Sequence, residues 1–168
     1  MTAPLPIPLL TRWSDLCGHY EGEGMNHMNE SFWGQFDLSS VLDHSLLQIR
    51  FKALERKPPS TESLNEIQAF HDEYTWITED ILERKIALWT VSTNTPGVLR
   101  HHLTNETQDG SYVSSLLFAL GDPNDQSRFR QSIQLAARKD GALEYIYCWG
   151  VPHEEFGVRS RCLLKRVV

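Results

Sequence analysis

From Ser45 to Leu54 the chain alternates, with Leu47, Ile49, Phe51 and Ala53 set against Gln48, Arg50 and Lys52. A period of two sends successive side chains to opposite faces, so this stretch predicts a half-buried β-strand. The same rhythm predicts strands over 18–28, 30–38, 66–79, 85–92, 98–105, 111–120, 129–138, 142–150 and 156–167. Turn chemistry separates them: Asn94-Thr95-Pro96-Gly97, Asp109-Gly110 and Asp140-Gly141, the last pair suited to the positive φ of a tight hairpin. Ahead of the strands, Leu9, Trp13, Leu16 and Cys17 recur at helical spacing. They predict a short helix over 9–17 with one apolar face, after a proline-stiffened arm over 1–8. The longest polar break, 55–64, predicts a mobile loop, and residues 55–65 are expected to gate the mouth of whatever the strands enclose.

Nine or ten strands joined by short connections make an antiparallel meander. A meander of that length exposes two edges unless it curls shut. The expectation is therefore an all-β chain, a single up-and-down barrel over 18–167, with 1–168 forming one domain. The segment Gly18-His19-Tyr20-Glu21-Gly22-Glu23-Gly24 fits its first strand. Glycine at alternate positions lets the strand bend and another backbone lie close.

Composition changes this picture little. A length of 168 residues suffices for one real core, and 40% hydrophobic with 23% charged residues is ordinary for a globular chain. The net charge of −6 and the scattered Lys and Arg exclude a nucleic-acid surface. Cys17, Cys148 and Cys162 share no metal or redox spacing and are expected to be reduced, buried thiols. The apolar N-terminus is broken by three prolines, has no basic start, and is too short for a membrane span. A soluble, cytoplasmic protein is the expectation.

Candidate chemistry lies in the aromatic faces. Phe70, Tyr74 and Trp76 share one face of their predicted strand, and Tyr145, Tyr147 and Trp149 share another. Directed inward, they would line an apolar cavity with a few hydrogen-bonding tips. If the even face of the strand over 98–105 also points inward, Arg100 and His102 would meet an anionic ligand head. In His71-Asp72-Glu73 only His71 and Glu73 share a face, and no further metal ligands are signalled. No nucleophile elbow, paired Cys/His spacing or phosphate-cradling loop is present.

The strand count and the opening segment resemble the calycin group: lipocalins, fatty-acid-binding proteins and similar small bacterial barrels. Lipocalins open with a short helix and Gly-x-Trp. The matching residues are Gly18 and Tyr20, with Arg166 as the terminal basic residue that packs over the aromatic and closes the barrel. The glycine run also resembles the start of the haem-binding nitrobindin barrels. Those carry an axial histidine near the C-terminus, whereas the last histidine here, His153, falls in a predicted loop. What the calycin resemblance implies is reversible binding of a small apolar or amphipathic molecule. It implies no catalytic residue, metal or cofactor, haem being the alternative. Two other expectations stand beside it: an isomerase or hydrolase using His71, His102 or His153 as base, and a filled barrel acting as a homodimeric interaction module.

Overall fold

The computed structural model describes residues 7–58, 67–108 and 110–167. A helix, α1 (Pro8–Ser14), precedes ten strands: β1 (Gly18–Asn26), β2 (Ser31–Val41), β3 (Leu46–Leu54), β4 (Ala69–Asp80), β5 (Lys85–Ser92), β6 (Thr95–Thr107), β7 (Tyr112–Leu120), β8 (Arg130–Arg138), β9 (Leu143–Gly150) and β10 (Gly157–Arg166). Each strand pairs antiparallel with its chain neighbours, and β1 pairs with β10, so the sheet is a closed up-and-down barrel. All ten expected strands are present, and closure removes the free edges that a meander would expose. Residues 1–6 of the expected arm over 1–8 and residues 59–65 of the expected gate over 55–65 lie outside the described residues.

The closing pair is β1 with β10. Tyr20 stands opposite Arg166, whose guanidinium carbon lies 5.9 Å from the Tyr20 ring centroid. Arg166 also donates to the Cys17 carbonyl, and a Cβ on Gly18 would come within 2.8 Å of its Nε. The Tyr20 hydroxyl donates to the Leu16 carbonyl at 2.6 Å, fastening the chain after α1 to the first strand. Further along β1, a Cβ at Gly22 would overlap the Leu163 carbonyl of β10, and one at Gly24 would overlap the Phe32 ring. The alternate glycines thus permit both the curvature and the close approach.

α1 is one residue earlier and shorter than the periodicity predicts. Pro8 fixes φ at its first turn, where a missing N–H costs nothing. Leu9, Leu10 and Trp13 are buried and plug one end of the barrel, with Trp13 Nε1 donating to Ser114 Oγ at 3.1 Å. Above that plug the interior is filled by Phe36, Leu38, Leu47, Ile49, Ile77, Leu88, Leu116, Phe118, Ile133 and Leu164. The plugged half is solid. The other half is open.

Three register shifts sit at the open end, between Ala53 and Leu54, between Thr90 and Ser92, and between Val158 and Ser160. Bulges re-aim side chains where pairing terminates. On β4 the shift brings Phe70 back toward the interior, edge-on to Phe32 with ring centroids 5.8 Å apart.

Candidate functional site

The open half of the barrel holds a cavity of about 390 Å³. Its wall is aromatic, from Phe32 (β2), Phe51 (β3), Phe70 (β4), Tyr147 and Trp149 (β9) and the loop residue Phe129. His71, Ser92 and Gln131 add polar atoms lower down, and Asn26, His27 and Arg159 add them at the rim. A volume in the usual range for small-molecule sites, with a mostly apolar wall and few convergent polar groups, is the ordinary form of a ligand pocket.

Beneath the cavity lies a carboxylate. Glu73 is fully buried and faces inward from β4, between His71 and Thr75 on the same face. Its Oε1 accepts from the Tyr145 hydroxyl and, at 2.7 Å, from Thr75 Oγ1. Its Oε2 lies 3.2 Å from His71 Nε2. Across the β4–β5 pair, Thr75 and Thr90 hydroxyls meet at 3.0 Å. Burial opposes ionisation of Glu73, but the donors from His71, Tyr145 and Thr75 outweigh it and hold the carboxyl below its ordinary value. Burial first, and then the Glu73 charge, pushes the Tyr145 and Tyr147 hydroxyls well above theirs. Both tyrosines therefore stay protonated and act as donors. On the β6 side His101 Nε2 meets Gln131 Oε1 at 2.8 Å, and burial lowers its pKa so that this imidazole is neutral.

Tyr145→Phe removes one donor from this carboxylate while keeping the ring. The expected cost at neutral pH is about 1.5–3 kcal/mol, the worth of a hydrogen bond to a charged group. Because the folded pKa of Glu73 is depressed, its contribution is present above the ordinary value of 4.5 and is lost as pH falls through the folded pKa. The gap between variant and parent should therefore narrow on acidification below that range. Urea unfolding at pH 7 and at successively lower pH measures it.

The structure sorts the candidate residues. Tyr147, Trp149 and Phe70 line the cavity, and Tyr145 lies beneath it with its hydroxyl on Glu73. Tyr74 and Trp76 are on the outside, a correction to the expected inward face of β4. Their neighbours Glu73, Thr75 and Ile77 occupy the interior, and alternation sends Tyr74 and Trp76 the other way. Tyr74 instead carries the Arg50 guanidinium, 4.8 Å from its ring centroid.

Arg100 and His102 also face outward, so they cannot meet a ligand head inside. Leu88 is buried and pairs with His101, which places His101 in the interior and its two neighbours outside. There Arg100 finds Asp80 and Glu83, each at 2.6 Å, while His102 lies 3.6 Å from Glu83. An arginine inside would have left a buried charge without such partners. His153 lies exposed in the β9–β10 connection, away from the cavity wall. Among the described residues no cluster of three or more potential metal ligands forms, and no helix is long and apolar enough to cross a membrane.

One side of the rim is fastened by a residue that the sequence did not single out. Arg130 is buried, and its guanidinium donates to the carbonyls of Arg128, Val151 and Glu154 at 2.8, 3.0 and 2.7 Å. Gly150 makes room for it, since a Cβ there would lie 2.6 Å from Arg130 Nη2. At the same rim Arg159 lies over Trp149, 4.5 Å from the ring centroid, and donates to the Trp149 and Glu155 carbonyls.

No family model and no curated protein matches the chain. It is similar to a solved structure, the crystal structure of Rv2717c from M. tuberculosis. The TM-score is 0.65 at 11% sequence identity, and the match covers 98% of this chain and 100% of that one. At that identity the likeness extends to the fold and no further.

Proposed function

We propose that this calycin-like barrel reversibly binds one small, mostly apolar molecule in its open half. The observation that carries the reading is the aromatic cavity of about 390 Å³, closed below by a polar floor and open at the end opposite α1. A ligand seated there would bury apolar surface against Phe32, Phe51, Phe70, Tyr147 and Trp149, worth about 25 cal/mol per Å² before ordering costs. Native mass spectrometry of freshly purified protein would report a retained ligand directly.

A variant test uses a neutral solvatochromic dye. The parent should bind it saturably at one site, and Ser92→Trp, which thrusts an indole into the cavity, should weaken binding by about ten-fold or more, equivalent to about 1.4 kcal/mol. Absence of saturable binding to the parent would end the reading. Circular dichroism should show the variant folded.

A second reading is favoured by one pair. His71 lines the cavity with Nε2 3.2 Å from Glu73 Oε2. A carboxylate that orients an imidazole is the arrangement of a general base. In that case a bound substrate would be returned chemically altered, which mass analysis of the recovered ligand distinguishes from simple release.

A further inference from the structure

The floor of the cavity has a definite hydrogen-bonding polarity. Glu73 is the fully buried acidic side chain of the barrel interior, and His71 Nε2 lies 3.2 Å from its Oε2. The buried Arg130 is spent on the carbonyls of Arg128, Val151 and Glu154 at the rim and makes no bond to Glu73. The Tyr145 hydroxyl, the Thr75 hydroxyl and His71 Nε2 all point at this one carboxylate. The His71 tautomer that donates from Nε2 to Glu73 carries its acceptor on Nδ1, backed by a buried negative charge.

We propose that the ligand is an amine, whose protonated head docks on the His71–Glu73 floor while its apolar body lies among the aromatic rings. The inference rests on the binding function proposed above and names the class of molecule bound. An ammonium can donate to His71 Nδ1 and to the Ser92 hydroxyl oxygen in the wall. Its charge is opposite to that of Glu73, whose attraction is weakly screened inside the barrel. The rings of Phe51 and Tyr147 flank His71, each with its centroid 6.0 Å from the imidazole.

A carboxylate head in the same place would sit above the buried Glu73 carboxylate, a charge of its own sign. The cation at the rim, Arg159, does not reverse this preference. Its guanidinium is stacked on Trp149 and bonded to two backbone carbonyls, and an acid held there would put its hydrocarbon end on the polar floor.

Three probes with one fluorescent apolar body and a primary ammonium, a hydroxyl or a carboxylate as head test the proposal at pH 7. The parent should bind the ammonium probe about ten-fold or more tighter than the carboxylate probe, with the alcohol between them. Glu73→Gln should bring the three within about three-fold of one another. The parent's ranking should also survive about 0.5 M salt, because a buried charge is screened far less than the acidic surface. This arm holds even if Glu73→Gln fails to fold. Equal or tighter binding of the carboxylate probe, a ranking that collapses in salt, or full preference retained in Glu73→Gln would each overturn the amine assignment. Binding of none of the three would instead remove the proposed function itself.

Discussion

Gly22→Ala is expected to destabilise the protein by more than about 3 kcal/mol, beyond the usual 1–3 kcal/mol for an extra methyl group in a core. In a packed core the intruding atom generally displaces a side chain. Here it would overlap the carbonyl oxygen of Leu163, with the Leu164 Cα only 3.1 Å away, so the obstacle is the backbone of β10. Relief requires β1 and β10 to separate, and that is the pairing which closes the barrel. Thermal and urea unfolding measure the loss. Gly157→Ala is the control, because a Cβ there meets nothing within 4 Å. A Gly22→Ala protein as stable as its parent would mean the two strands do not approach as described.

Tyr20→Ala should cost about 3–5 kcal/mol, the range for removing a buried aromatic ring. Tyr20 is 2% exposed and packs edge-on to Phe36, with ring centroids 6.4 Å apart. The substitution leaves a cavity there and takes away the hydroxyl that holds Leu16, as well as the surface on which Arg166 rests. Tyr20→Phe separates these effects. It keeps the ring and loses one hydrogen bond, for an expected cost of about 1 kcal/mol. Similar stability losses in the two variants would show that the ring contributes little.

The strands, their order and the closing pair were legible because each leaves a local trace. Alternation in 45–54 marks β3, and Asp140-Gly141 marks the β8–β9 hairpin, with Gly141 at φ +83°. Tyr20 and Arg166 could be paired through the resemblance to lipocalins, whose terminal basic residue packs over the aromatic of the first strand. The inward face of β4 was not legible. Its two faces read Phe70, Asp72, Tyr74, Trp76 and His71, Glu73, Thr75, Ile77; each carries one acid, and the three rings make the first look like the core face. Inside, Glu73 is held by His71 and Thr75 of its own strand and by Tyr145, 72 residues away in sequence, and no local window contains that last partner.

Arg100 and His102 show the same dependence on cross-strand register, here through Leu88 and His101. The sequence did place His71 and Glu73 on one face, a sign of the floor. Without the barrel it carried no hint of an enclosed carboxylate.

Arg130 has a consequence for binding kinetics. Its hydrogen bonds to Val151 and Glu154 fix the β9–β10 connection before any ligand arrives, while Phe129 and Val151 on either side of it line the cavity. Immobilising a side chain at an interface costs about 0.5–1.5 kcal/mol, and on this side of the mouth that ordering is already accomplished in folding. A ligand meeting a pre-set wall loses little on arrival, so differences in affinity among related ligands should appear mainly as differences in residence time.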